Sequence, residues 1–208
     1  MPRQPRIDAP GLISHVINRG VKRLPLFHDD FDRQTFLKLL IQTQQIYPFI
    51  FHAYCLMTNH FHLLLQPLEA SLGRIMGHVL HRYSIRFNRR YGHVGHAFQA
   101  RFHNIPVEED RYMKVVSRYI HLNPVRAGMV KRPENYAWSD YRVAIAGISS
   151  ITDPRFILGY FGLEPERQRI AYRRFVEDGI AQHEPITEST LLRMRTWGNP
   201  LLLKPVKK

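Results

Sequence analysis

Short apolar runs with partial alternation mark Leu12–Asn18 (LISHVIN), Phe49–Leu56 (FIFHAYCL) and His60–Gln66 (HFHLLLQ), and predict three strands. Thr58-Asn59 reads as the tight turn of a hairpin between the second and third, and Pro67 stops the third. Asp30–Tyr47 changes to helical spacing, with Phe31, Thr35, Leu39 and Leu40 behind Asp29 or Asp30 as cap. Leu72–Tyr91 shows that spacing more strongly: Leu72, Ile75, Met76, Val79, Leu80, Tyr83 and Phe87 form one apolar stripe. Gly92–Gly95 breaks this helix, and Ala97–Val107 predicts a fourth strand bent at Pro106. A further helix opens on Glu108-Glu109-Asp110, whose charge suits a helix N-terminus, and is expected to end at Asn123, before Pro124.

The order strand–helix–strand–strand–helix–strand–helix is that of the split βαβ, ferredoxin-like fold, an α+β class with an antiparallel sheet. From about Ile151 the composition changes. Asp153–Leu163, Pro165–Gly179 and Glu188–Trp197 predict short helices ahead of a basic tail, Lys204–Lys208. The expected organisation is a main domain over 1–150 and a small helical extension over 151–208 that carries no chemistry.

Charge narrows the partners. Thirty Lys and Arg against 17 Asp and Glu give +13 and a pI near 10.2. Such a surplus favours a polyanion, nucleic acid ahead of an anionic membrane. On the long helix Arg74, His78, Arg82, Arg86 and Arg90 recur at i, i+4 along a second face, and no acidic residue between Glu69 and Glu108 pairs with them locally. Guanidinium groups one turn apart can track a phosphate backbone. The lone Cys55 excludes an internal disulfide and a cysteine-rich zinc site. The charged, Pro-rich N-terminus lacks the apolar core of a signal peptide, and no run approaches the roughly 20 apolar residues of a membrane span. The cytoplasm is the expected place, without a membrane partner.

His60-Phe61-His62 is the sharpest chemical feature. Residues two apart on a strand point to one face, so both imidazoles project together as a bidentate metal platform, while Phe61, Leu63 and Leu65 enter the core. The plainer reading is two surface histidines in a chain with 12. On the helix after the fourth strand, Tyr119 and Asn123 are i, i+4 and share a face; Tyr112 lies two turns earlier on a similar one. A tyrosine beside a metal can attack a phosphodiester, although a phenol pKa of about 10 requires activation. The plainer reading is a core tyrosine with its hydroxyl bonded. Tyr112 stands beside three acidic residues, which repel phosphate and raise a phenol pKa.

MTNHFHLLL, RYIHLNPVRAGMV and WSDY, in this order, resemble the REP-associated tyrosine transposases, bacterial relatives of the single-tyrosine insertion-sequence transposases. MPRQPRIDAPG with HVINRG fits that group too, and the resemblance covers about residues 1–147. It implies an HUH nuclease domain with the metal-binding pair at His60 and His62, Asn123 as third ligand and Tyr119 as the nucleophile. The implied chemistry is a covalent 5′-phosphotyrosine with a free 3′-hydroxyl, reversed for joining, with Mg2+ or Mn2+ as cofactor. The implied partners are single-stranded DNA hairpins of REP-like palindromes, with no obligatory protein partner, the chain acting as monomer or homodimer near the nucleoid. Arg74, Arg82, Arg86, Arg101, Arg118 and Arg126 are the candidate DNA contacts. A rival reading is a domesticated hairpin-binding protein that no longer cuts. A second, a metal-dependent hydrolase of small molecules, fits the charge and the Arg face poorly. The chain departs from the family at Thr58, commonly proline, and at Gln99-Ala100-Arg101-Phe102-His103, where Gly-Arg-Tyr-Lys is more usual. The second departure bears on DNA sequence preference.

Overall fold

The computed structural model describes residues 9–107, 110–148 and 150–181; the expected helix Glu188–Trp197 and the basic tail lie outside them. Four strands, β1 (Ser14–Arg19), β2 (Phe49–Leu56), β3 (His60–Pro67) and β4 (His103–Pro106), form one antiparallel sheet in the order β2-β3-β1-β4. Helix α1 (Asp30–Ile46) connects β1 to β2, and α2 (Leu72–Tyr91) connects β3 to β4. This is the expected split βαβ arrangement.

Both faces of the sheet are buried. Val16, Phe61, Leu63 and Leu65 meet α1 and α2 on one face, while Ile17, Cys55, Leu64 and Ile105 meet α3 (Asp110–Arg126) on the other. The alternation along β3 therefore puts His60 and His62 on one face, that of α3. Asp29 caps α1 by accepting the Asp32 N–H, and Ser71 caps α2 by accepting that of Arg74. Gly92 closes α2 at φ 61°, a left-handed position that suits glycine.

Three expectations change. The buried face of α1 is Phe36, Leu39, Leu40 and Thr43; Phe31 is exposed under the guanidinium of Arg90, 4.6 Å from its ring centroid. The fourth strand shortens to His103–Pro106, with an isolated bridge from Gly20 to Phe98 and the intervening residues off the ladder. Pro124 does not end α3. It costs the helix one N–H donor, but Ala127 N–H still reaches Asn123 O and Met129 N–H reaches Pro124 O, so the helix runs to Arg126.

Beyond Trp138 the chain adds α4 (Tyr141–Ala146), α5 (Arg155–Gly159) and α6 (Pro165–Ala181). Ile157, Leu158, Tyr172 and Val176 share the core of α3. A buried polar chain reinforces this packing. Asp140 Oδ1 accepts the Tyr54 N–H at 2.7 Å and stands 3.0 Å from His121 Nε2; His121 Nδ1 stands 2.6 Å from the Tyr172 hydroxyl. His121 bridges Asp140 and Tyr172 through its two ring nitrogens, while Asp140 Oδ2 is buried without a partner. The extension thus buttresses α3. Deleting large buried side chains costs about 2–5 kcal/mol each against a total stability of about 5–15 kcal/mol. A chain ending near Ser150 is expected to lose its cooperative thermal transition by circular dichroism; an unchanged melt would show the extension to be separate.

Candidate functional site

The β1–β3 register opposes Ile17 to His62 and Arg19 to His60, while α3 lies across the same face. His62 is buried, and its ring lies 5.4 Å from that of Tyr119, edge-on at 88°. His60 is half-buried, its ring centroid 5.1 Å from that of His62. Asn123 follows Tyr119 by one turn; its Nδ2 points back to Tyr119 O at 3.4 Å, which leaves the amide oxygen, the atom a cation takes, without a partner among the described residues. His60, His62, Tyr119 and Asn123 thus gather from two elements onto one side of the sheet.

Each imidazole has a partner that orients it. Asn59 Oδ1 stands 2.7 Å from His60 Nδ1; an amide oxygen only accepts, so Nδ1 carries the proton and the neutral ring keeps its lone pair on Nε2. His62 Nδ1 stands 3.0 Å from Nε2 of His15, a fully buried β1 residue stacked on it at 28°. His62 Nε2 is buried with no hydrogen-bond partner. Burial, then His60, His15 and Arg19, hold the His62 pKa well below the ordinary imidazole range, and burial lowers that of His15 to about 3. Both rings are neutral at physiological pH, the form that binds metals. Among the described residues no group of three or more His, Cys, Asp or Glu is arranged to hold a metal ion. The available donor set is instead two imidazoles and an amide oxygen, and the orphaned Nε2 of His62 fits a cation there.

The second tyrosine is unsuited. The hydroxyl of Tyr112 is buried and unpartnered, and burial, followed by the charge of Tyr119, pushes its pKa far up. The acidic trio expected to raise it falls partly outside the described residues, and burial alone is the leading cause. Beside Tyr119 stands Arg126, exposed, its guanidinium 5.3 Å from the ring centroid.

The basic residues divide between the layers. Arg74, Arg82 and Arg86 are exposed on α2, on the side of the sheet away from His60 and His62. Arg101 is exposed beside β4. Arg118 corrects an expectation: it is 6% exposed, its guanidinium 4.2 Å over the Phe175 ring and its Nη1 3.4 Å from Phe175 O, so it packs α6 onto α3 instead of facing DNA. Arg90 also leaves the basic stripe, because Asp29 and Asp32 of the α1 N-terminus each pair with it at 2.6 Å. His15 and the network of His121, Asp140 and Tyr172 were not singled out from sequence. For His15 a signal exists: LISHVIN alternation places it on the face of Ile17 and Arg19, which the split βαβ order sets beside the His60–His62 strand.

Residues 9–123, more than half of the chain, match the family described as "Transposase IS200 like". The chain belongs to the IS200-like transposases. His15, His60, His62, Tyr119 and Asn123 lie inside the matched stretch, whereas Arg126, Asp140 and Tyr172 lie beyond it. A solved structure described as "Structure of the REP associates tyrosine transposase bound to a REP hairpin" is similar at 19% identity and a TM-score of 0.60, over 74% of this chain and 91% of that one, a likeness of fold. None of the curated proteins compared with the chain matches it. As in the sequence, no helix of the described residues of this transposase is long and apolar enough to cross a membrane.

Proposed function

We propose that this IS200-like transposase nicks and rejoins single-stranded hairpin DNA through a covalent 5′-phosphotyrosine at Tyr119. The observation that carries the reading is the Tyr119 ring set edge-on to His62, 5.4 Å away, beneath a helix that also brings Asn123. His60 Nε2, His62 Nε2 and the Asn123 amide oxygen would hold a divalent cation, and two nitrogens with one oxygen suit Mn2+ better than Mg2+. Bound there, such a cation makes a phosphodiester more electrophilic and offsets charge in the transition state.

The chain's own groups supply the rest. Tyr119 Oη attacks phosphorus, the bond from phosphorus to the 3′ oxygen breaks, the phenol gives up its proton and the leaving 3′ oxygen gains one. Arg126, exposed beside the Tyr119 ring, is placed to accompany the strand. Asn59 holds His60 in the tautomer a cation needs, and His15 orients the His62 ring. The phosphotyrosine conserves the bond energy, so joining is the same step reversed. A labelled hairpin incubated with the protein and Mn2+ should give a slow-migrating covalent species on a denaturing gel; binding without that species would mean that the protein no longer cuts.

The +13 charge and the fold shared with a protein bound to a REP hairpin support a hairpin partner. Arg82 and Arg86 on the α2 layer, Arg101 beside β4 and Arg126 on α3 suit DNA that reaches both layers, as a folded hairpin with a single-stranded flank does. Neutralising any one of these four is expected to shallow the log–log salt dependence of binding by about one unit. If the double replacement of Arg82 and Arg86 leaves the slope unchanged, α2 presents only a solvated face.

A further inference from the structure

Between the Gly20–Phe98 bridge and the Ile17–His103 pair, the chain from Gln99 to Phe102 stands opposite only Asn18 and Arg19 of β1. A bulge of this kind re-aims side chains and opens the ladder. Here it leaves a cleft of about 130 Å3, lined by Ile17, Asn18, Arg19, Gln99, Ala100 and His103. The cleft is held open from below. Buried Asn18 donates from Nδ2 to Ala100 O at 3.3 Å, and its Oδ1 accepts the Arg19 N–H at 2.8 Å. Phe102 is anchored in the core, while Gln99, Ala100, Arg101 and His103 are exposed.

Its position ties it to the candidate site. By register, Ile17 lies between His62 on β3 and His103 on β4, so the cleft opens across β1 from the histidine pair, two strand spacings or about 9–10 Å away. An extended single strand whose phosphate sits at Tyr119 can place a nearby base there.

We infer that this bulge cleft is a pocket for one extruded nucleobase of the single-stranded flank, and that Gln99 and His103 read it. The inference rests on the nuclease reading for the course of the strand. The volume is that of about one heterocycle. The Gln99 side-chain amide makes no hydrogen bond among the described residues and offers a donor beside an acceptor, the complement of the adenine N6 amino group and N7. His103 supplies a flat ring against which a base stacks. Adenine is therefore the base selected.

The test uses the full-length Tyr119→Phe protein, which cannot cut, and hairpin oligonucleotides with randomised single-stranded flanks, sequenced before and after capture. Adenine should be enriched about tenfold or more at one flank position, Gln99→Ala should level that position alone, and an abasic nucleotide there should weaken binding similarly. An unchanged profile in both Gln99→Ala and His103→Ala, or no enriched position in the parent, would overturn the pocket. Nicking by the wild type is scored separately. Levelled enrichment with no nicking would leave the pocket and remove the nuclease; nicking with an unchanged profile would do the reverse.

Discussion

Replacing Tyr119 by phenylalanine is expected to abolish the covalent protein–DNA species while hairpin affinity stays within about twofold. The change removes one oxygen from a ring that is already packed against His15 and His62, so packing and the charge contacts persist. Nothing nearby can substitute. The Tyr112 hydroxyl is sealed in the core with its pKa driven up, and reaching a phosphate would require it to leave a site that excludes water. A gel of labelled hairpin with the wild type and Tyr119→Phe, run beside a binding titration of each, checks both halves. An adduct that persists in the variant would move the nucleophile elsewhere.

The second large effect is expected at the histidine pair. His62→Ala removes the buried Nε2 and leaves His15 without its partner, while His60→Ala leaves Asn59 facing an empty position. A bound cation is worth several kcal/mol of transition-state stabilisation, so either change should lower nicking by about a thousandfold or more. Hairpin binding should fall little, because Arg82 and Arg86 lie on the opposite side of the sheet from the pair. Mn2+ binding measured by calorimetry should be lost in both variants and weakened in His15→Leu, whose side chain cannot hydrogen-bond to His62. Undiminished cleavage by the double histidine variant would remove the metal assignment.

The legible parts of the fold are those set by local periodicity. Phe49–Leu56 and Leu72–Tyr91 fall where their patterns put them, because a strand with both faces buried and a helix with an unbroken stripe leave few alternatives. The misread parts depend on contacts distant in sequence. Pro124 sits inside α3 because tertiary packing outweighs the loss of one donor. Arg90 finds its carboxylates on α1, some sixty residues away, which a local search for acidic neighbours cannot see. Arg118 looks like a DNA contact only until α6 covers it.

The candidate site divides in the same way. His60 and His62, as well as Tyr119 and Asn123, are legible as pairs, since a strand repeats every two residues and a helix every four. That the two pairs face each other requires the sheet order and the crossing of α3, which the family resemblance implied and local pattern did not. His15 carried a readable alternation signal but gains meaning only from lying next to β3. The link from His121 through Asp140 to Tyr54 and Tyr172 joins four segments and had no signal beyond its separate motifs.

Peptide mapping of the trapped adduct tests the central claim most directly. Protein incubated with hairpin DNA and Mn2+ is denatured, digested with nuclease and protease, and sequenced by mass spectrometry. A nucleotide bound through its 5′ phosphate to Tyr119 is the expected result. A nucleotide on Tyr112 or another side chain, or DNA cut with no attached nucleotide, would contradict it.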